Sequence, residues 1–218
     1  MEKDSTKISM AVIRRLPKYH RYLKDLLDKN ITRISSKELS RVIGFTASQI
    51  RQDLNNFGGF GQQGYGYNVD ALYYEIGKIL GLDRTYRTII VGAGNLGQAI
   101  ANYTNFEKAG FVPKAMFDMN PKLIGLKIRD IEIKDIDTVE EYIKENNIDI
   151  GIICTPGPQA QSVADRLVKG KIKGIWNFAP VDLKVPAHVV VENVHLSESL
   201  FTLSFLLKHC QNESSGTL

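Results

Sequence analysis

A glycine turn in the middle of the chain has the residue types and spacing to bind a phosphate. Residues 88–91 are β-forming, and residues 98–103 are helix-forming. In such a strand–turn–helix the first glycine allows the sharp turn, the second lets backbone approach a phosphate, and the third lets helix pack on strand. The positive helix start faces the anion. The predicted pyrophosphate site consists of Gly92, Ala93, Gly94, Asn95, Leu96 and Gly97.

A carboxylate farther along the chain indicates which dinucleotide would bind. Residues 111–117 are predicted to form the next strand, and Asp118 ends it, 21 residues after Gly97. A carboxylate there can bind both hydroxyls of an adenine ribose and repels a 2′-phosphate. No arginine follows at once, so the predicted cofactors are NADH and NAD⁺ rather than their phosphorylated forms. A Rossmann-like unit that binds no nucleotide is the alternative.

Strand and helix patterns alternate from residue 88 to residue 195, which predicts an α/β fold with a Rossmann-type, doubly wound parallel sheet. Ligands bind at the carboxyl ends of the strands in such sheets. Four residues that follow two later strands are therefore candidates for the nicotinamide end, although each suits an ordinary loop equally well. They are Thr155, Pro156, Asn177 and Phe178.

Catalytic groups do not emerge from the sequence. None of the four histidines falls in a strand-end loop of the nucleotide-binding half with an evident carboxylate partner, and the motifs H-E-x-x-H, G-x-S-x-G and C-x-x-C are missing. The chain after Ala179 is too short for a substrate domain. We therefore predict no catalytic residue and no metal site, and expect the cofactor to be sensed rather than consumed.

The basic excess of the chain lies in its first quarter. Residues 1–56 contain 12 Lys and Arg against 6 Asp and Glu, a balance of +6, whereas residues 88–218 contain 13 against 15. This asymmetry indicates a polyanionic partner for the N-terminal part.

Two capping signals predict a helix-turn-helix in this basic part. Residues 35–38, Ser-Ser-Lys-Glu, form a capping box, Gly44 ends the first short helix, and Thr46 precedes a second helix over 47–55. Polar side chains near the start of the second helix can reach base edges in the major groove. A helix pair without a DNA function is the alternative.

The glycine- and aromatic-rich residues 57–69 predict a hairpin, which makes the unit a winged helix; a glycine-rich linker is the alternative. Asp70 is expected to cap the following helix, which Gly81 closes. The candidate DNA-binding residues are Ser36, Lys37, Ser48, Gln49, Arg51 and Gln52 on the helices and Gln62, Gln63, Gly64 and Tyr65 at the hairpin tip.

Residues 196–209 form an amphipathic pattern that is apolar over most of the helix surface, so we expect this helix to pack into a partner subunit. The predicted organisation is a winged-helix domain (1–81), a linker (82–87), a Rossmann domain (88–195), a dimerisation helix (196–210) and a disordered tail (211–218). There is no apolar run long enough for a membrane span, no signal-like N-terminus and too few cysteines for a disulfide framework, so a cytoplasmic location is expected.

Taken together, several stretches resemble the Rex family of redox-sensing repressors, and the resemblance extends from about Lys7 to Lys208. The stretches are residues 16–23, 34–39, 49–54 with the hairpin of 58–67, 92–97, 177–180 and 203–205. The resemblance implies a homodimer with swapped C-terminal helices. It also implies binding to palindromic operator DNA when NADH is scarce, release when NADH binds, and fermentation and respiration genes as targets.

The resemblance also implies roles for single residues. Residues 92–97 and Asp118 would hold the cofactor, and Tyr103 would take part in switching. Many relatives have an acid at the position of His195, thought to pair with an arginine such as Arg21, and a histidine cannot form that ion pair at neutral pH. Relatives also often carry basic residues at Gln52 and at 62–63, so these glutamines should weaken phosphate contacts.

Two other functions remain compatible with the sequence. An NAD-dependent oxidoreductase with a fused winged helix would turn over NADH with a small carbonyl substrate. A CoA-binding regulator is the other, because CoA ligase subunits share this sheet and a similar Thr-Pro-Gly loop. Asp118 favours a ribose diol, whereas CoA carries a 3′-phosphate, so titration with both ligands separates them.

Overall fold

The computed structural model of the protein describes residues 8–58, 60–62 and 65–214, with side chains left out at 61–62 and 210–214. The chain divides into two compact units between Arg84 and Thr85. Each unit has a hydrophobic core of its own. Residues 63 and 64 of the predicted hairpin tip and the end of the predicted tail lie outside the described residues.

The first unit is a helical domain with a small antiparallel sheet of order β1-β3-β2. Its core contains Leu16, Leu23, Leu39, Ile50 and Ile76, all buried. The elements in chain order are α1 (Met10–Ile13), α2 (Leu16–Asp28), β1 (Arg33–Ile34), α3 (Ser36–Ile43), α4 (Ala47–Asn55), β2 (Gly61–Gln62), β3 (Gly66–Asn68) and α5 (Val69–Ile79).

The helix ends of this unit follow the predicted caps, with one exception. Ser35 and Glu38 form the capping box of α3, and the Thr46 side chain accepts a hydrogen bond from the backbone N–H of Gln49 at the start of α4. The predicted cap of α5 is wrong. Asn68 rather than Asp70 occupies the N-cap, since α5 begins two residues earlier than expected and the Asn68 side chain accepts from the N–H of Ala71.

The second unit is a seven-stranded sheet of order β10-β9-β8-β4-β5-β7-β6 with helices on both faces. Its elements are β4 (Tyr86–Val91), α6 (Asn95–Asn102), α7 (Asn105–Lys108), β5 (Phe111–Asp118), β6 (Lys127–Ile128), β7 (Ile131–Asp135), a 3₁₀ turn (Ile136–Thr138), α8 (Val139–Asn146), β8 (Ile150–Ile153), α9 (Gly157–Lys169), β9 (Gly174–Asn177), β10 (Val190–Asn193) and α10 (Leu196–Ser214).

The predicted α/β fold is confirmed, with three local differences. Helix α10 continues to Ser214, so residues 211–214 of the predicted disordered tail are helical. The short edge strand β6 runs antiparallel to β7, whereas the other strand pairs are parallel. Strand β4 begins at Tyr86, inside the predicted linker, because the Tyr86 ring stacks on Phe111 at 5.1 Å and its N–H donates to the carbonyl oxygen of Gly110. The last two residues of that linker therefore belong to the sheet.

Over residues 196–209, whose side chains the structure describes, helix α10 covers no core of its own unit. Its side chains from Leu196 to His209 are exposed, including Phe201 at 69% and Phe205 at 60%. Among the described residues, no helix has the length and apolarity needed to cross a membrane.

Candidate nucleotide and DNA sites

The glycine turn lies between β4 and α6 and is shaped by contacts that exclude side chains. Gly92 has φ +102°, and a Cβ atom there would meet the backbone of Cys154 at 2.8 Å. A Cβ at Gly97 would lie 1.9 Å from the carbonyl oxygen of Gly92. At Gly94, by contrast, a Cβ would meet nothing within 4 Å. Two glycines are therefore needed for close backbone packing, while the third borders open space.

The open space borders the start of α6. Gly94 is the N-cap of this helix, and no side chain caps it. The first N–H groups of a helix lack partners within it, and together with the helix dipole they attract an anion. The geometry fits the pyrophosphate that the glycine spacing predicts.

Asp118 ends β5 next to this turn. Its Oδ2 accepts a hydrogen bond from the N–H of Ala93 at 2.7 Å, and its Oδ1 accepts from the N–H of Asn120 at 2.8 Å. Each carboxylate oxygen can accept two hydrogen bonds, so one position on each oxygen is left for the hydroxyls of a ribose. Asp118 thus ties the turn to the sheet while it remains able to bind a diol.

The loop after β8 adds a buried hydroxyl. Among the described residues, Thr155 Oγ1 is buried and makes no hydrogen bond. Its backbone nitrogen would lie 3.1 Å from a Cβ at Gly92, which places Thr155 beside the glycine turn. Since buried polar atoms nearly always have partners, this hydroxyl is suited to a bound ligand. Pro156 is exposed at the start of α9.

Asn177 ends β9, as predicted, but its side chain is engaged by the protein itself. Its side chain is fully buried, and its amide nitrogen donates to the carbonyl oxygen of Val181 at 2.8 Å and to Asn193 Oδ1 at 2.9 Å. Its own Oδ1 accepts from the N–H of Ala179. With both polar ends satisfied by the protein, the Asn177 side chain fixes the loop after β9 and has no surface left for a direct cofactor contact.

A row of aromatic rings connects this loop to Tyr103. Phe178 lies 4.5 Å from Trp176, Trp176 lies 5.5 Å from Phe106, and Phe106 lies 4.8 Å from Tyr103, measured between ring centroids. Sequence reasoning missed Phe106 and Trp176, because neither stands in a recognisable motif. The predicted switch residue Tyr103 is half-exposed at the end of this row.

The thiol of Cys154 borders the same region and is chemically quiet. Burial raises its pKa to about 12, so the thiol is neutral at physiological pH and is a poor nucleophile. His195, just before α10, lies 3.8 Å from the exposed carboxylate of Asp182. Arg21 belongs to the first unit, where its guanidinium lies over the ring of Tyr22.

The second helix of the helix-turn-helix presents a polar face. Ile50 and Leu54 of α4 are buried in the core of the first unit. The side chains of Ser48, Arg51 and Gln52 are exposed and that of Gln49 is half-buried; in the first helix and hairpin, Lys37 and Tyr65 are exposed and Ser36 is half-buried. These candidates therefore lie where DNA can reach them.

A buried carboxylate on the inner side of α4 was not foreseen. Asp53 is 2% exposed and accepts two hydrogen bonds from the Arg15 guanidinium, at 2.6 and 2.7 Å, and one from the Tyr19 hydroxyl at 2.7 Å. Burial, followed by the contact with Asp53, raises the pKa of Tyr19. Such a bidentate pair fixes orientation, so this cluster sets how α4 lies on α2. Asp53 stands more than 30 residues from both partners in the sequence, too far for spacing to connect them.

Comparison with known proteins finds a matching family model for each of the two units. A family model described as the N-terminus of a putative DNA-binding protein matches residues 7–55, and one described as a CoA binding domain matches residues 83–181. The redox-sensing transcriptional repressor Rex of Clostridioides difficile (strain 630) is 73% identical over 201 residues, covering 92% of this chain and 96% of that protein. The chain belongs to the Rex family of redox-sensing transcriptional repressors.

Further relatives agree with this assignment to Rex. The Rex repressor of Thermoanaerobacter pseudethanolicus (strain ATCC 33223 / 39E) is 69% identical over 93% of this chain and 90% of its own length. The solved structure of RSP in complex with β-NAD⁺ and operator DNA matches with a TM-score of 0.89 and 64% identity, over 98% of this chain and all of RSP. RSP in complex with β-NADH matches equally well, at 63% identity. Rex proteins are named as transcriptional repressors, not as enzymes.

Proposed function

We propose that this Rex-family protein is a homodimer that binds a palindromic operator through its helix-turn-helix and hairpin and leaves the DNA when NADH binds. The observation that carries the proposal is the pairing, in one chain, of an exposed polar recognition helix with a glycine turn shaped for a dinucleotide. The solved complexes of the relative RSP contain both kinds of ligand. Because the proposed function is to bind chromosomal operators, it implies a location in the cytoplasm.

The cofactor half of the proposal rests on residues that fit the group. The free helix start at Gly94 would hold the pyrophosphate, Asp118 the adenine ribose, and the unpaired hydroxyl of Thr155 a polar group beside them. When bound, the nicotinamide supplies a ring whose charge reports its redox state. Asn177 contributes indirectly by holding the loop that carries Phe178.

Discrimination between NADH and NAD⁺ must come from the nicotinamide end, since the two share the adenosine and the pyrophosphate. A ligand that binds two protein states equally shifts nothing between them. Cys154 and Phe178 at the ends of β8 and β9 belong to an apolar cluster with Trp176. Burying an unpaired charge in such surroundings is costly, so they favour the neutral reduced ring.

The response to NADH then has to reach the DNA-binding part. The aromatic row from Phe178 to Tyr103 supports a role of Tyr103 in sensing whether the nicotinamide loop is filled. Two half-sites on DNA require a fixed spacing of two recognition helices. We propose that the two recognition helices lose this spacing when the dimer binds NADH.

The test is a titration of operator affinity. A palindromic duplex is selected by the protein from a random pool, labelled, and followed by fluorescence anisotropy while NADH is added at fixed NAD⁺. NADH should release the duplex at concentrations at which NAD⁺ does not. NADPH and CoA serve as matched ligands that carry extra phosphates. Unchanged or increased operator affinity with NADH would show that this is not a redox-released repressor, and release by CoA alone would favour a CoA sensor.

A further inference from the structure

Outside the cofactor site, a side-chain hydrogen bond links the two helices of the helix-turn-helix. Arg51, on the exposed face of α4, donates a hydrogen bond from its Nη1 to Ser36 Oγ at 2.9 Å. Ser36 is the first residue of α3, and the adjacent Ser35 already provides the cap of that helix. The Ser36 hydroxyl is therefore free to serve another group.

The position of the guanidinium is indicated from a second side. Tyr67 of β3 is buried, which raises its pKa, and the positive charge of Arg51 opposes that rise. Arg51 thus lies within electrostatic reach of the hairpin strand as well as in contact with the start of α3. Its long side chain is exposed to solvent and is tied to the start of α3 by the hydrogen bond to Ser36.

A guanidinium held in this way retains most of its donors. Arginine has five N–H groups in a planar fork, and the contact with Ser36 engages one of them. A guanine in the major groove needs two, for its O6 and N7 atoms. An arginine that is fixed before binding loses less conformational freedom on contact with a base than a mobile one.

We propose that Ser36 is a specificity-determining residue that orients Arg51 for a guanine and acts through Arg51 rather than by its own contact with DNA. The inference rests on the proposed function, in which α4 reads the operator. It assigns to Ser36 an effect on operator binding that disappears when Arg51 is absent.

The chain offers a clean variant for this test. Ser36→Ala removes the hydroxyl without removing the cap of α3, because Ser35 is the capping residue. Alanine has the higher helix propensity, so the variant should fold at least as well as the wild type. Ser36→Thr keeps a hydroxyl at the same place and is the matched control. Thermal unfolding of each variant verifies that the domain is intact.

The experiment is a double-mutant cycle with the selected operator duplex and a non-specific duplex of equal length. Ser36→Ala should weaken operator binding roughly threefold to tenfold, the range of one hydrogen bond, and leave non-specific binding unchanged. Ser36→Thr should bind like the wild type. In an Arg51→Ala background, Ser36→Ala should have no further effect.

Three outcomes overturn the inference in different ways. Equal losses from Ser36→Ala with and without Arg51 would mean that Ser36 contacts DNA directly. No loss from Ser36→Ala, while Arg51→Ala does weaken operator binding, would mean that Arg51 needs no support. If Arg51→Ala itself binds the operator like the wild type, the recognition-helix assignment fails, and the inference fails with it.

Discussion

Asp118 shows how one side chain can serve both the fold and a ligand. Its spacing from Gly97 predicted a contact with ribose, and the structure adds a hydrogen bond to the N–H of Ala93 in the glycine turn. The carboxylate therefore positions the turn through one set of lone pairs and leaves another set available for the proposed ribose contact. The two roles can be separated by substitution, because an amide keeps one acceptor oxygen but loses the charge.

Asp118→Asn should keep the hydrogen bond from the N–H of Ala93 through its one acceptor oxygen, lose the one from the N–H of Asn120, and relax the choice between cofactors. The neutral amide no longer repels a 2′-phosphate, and it replaces one acceptor with a donor. We expect NADH binding to weaken roughly tenfold, as for the loss of about one charge-assisted hydrogen bond, and the preference for NADH over NADPH to shrink. Calorimetric titration of both nucleotides measures this. An unchanged preference would remove Asp118 from the ribose site.

Residues with a local signal were predictable from the sequence, and residues with distant partners were not. Ser35, Thr46 and the three glycines of the turn act on neighbours within a few positions, so their spacing reveals them. Asn177 has an ordinary loop context, and only the fold shows that its amide is used up by the chain. For Asp53, a carboxylate on a polar helix looks solvent-exposed until Arg15 is placed next to it.

At the scale of elements, glycine has two different roles in the strand–turn–helix of β4 and α6. Gly97 allows the helix to approach the turn, whereas Gly94 leaves room beside the helix start. Gly94 has φ −74° and ψ −172°, a conformation that alanine also adopts. Substitution by alanine should therefore have different consequences at the two positions.

Gly97→Ala should destabilise the protein, by about 3 kcal/mol, because its Cβ would collide with the Gly92 carbonyl oxygen. Gly94→Ala should unfold like the wild type but lose most of its NADH affinity, since the methyl group occupies the space next to the helix start. Thermal unfolding and nucleotide titration of the two variants measure the difference. Intact NADH binding by a stable Gly94→Ala would place the pyrophosphate elsewhere.

The start of α5 is a second place where the predicted and the observed structures can be compared by substitution. Asn68 caps this helix, and Asp70, the predicted cap, lies in its first turn. Asn68→Ala should lower the free energy of unfolding of the first unit by about 1 kcal/mol, as for loss of an N-cap. Asp70→Ala should cost only a few tenths of that, from the helix dipole. Chemical denaturation monitored by circular dichroism would contradict the assignment if the order were reversed.

At the scale of the whole molecule, two apolar surfaces of the second unit are left uncovered by the residues that the structure describes. One is a groove of about 420 Å³ on a sheet face, lined mainly by apolar side chains such as Ile152, Trp176 and Phe106. The other is α10, whose large side chains are exposed. Exposed apolar area on this scale is typical of an interface. The composition of residues 196–209 predicted the apolar helix α10. The groove could not be predicted in this way, because it depends on which strands lack a helix on one face, and only the topology of the sheet shows that.

The proposed dimer predicts a strong effect of one charge on α10. Phe201→Asp replaces a side chain that we expect to be buried against the partner, at a cost of about 2–3 kcal/mol for each copy in the dimer. The dimer dissociation constant should then rise at least roughly a hundredfold, because every 1.4 kcal/mol is a factor of ten and the interface contains the residue twice. Glu198→Gln on the same helix is the matched control and should leave the constant near that of the wild type. Sedimentation equilibrium over a range of protein concentrations measures both variants.

Since two half-sites require two linked recognition helices, Phe201→Asp should also lose cooperative binding to the palindromic duplex while it retains binding to NADH. A Phe201→Asp protein that sediments as a wild-type dimer would show that α10 is not the dimerisation element.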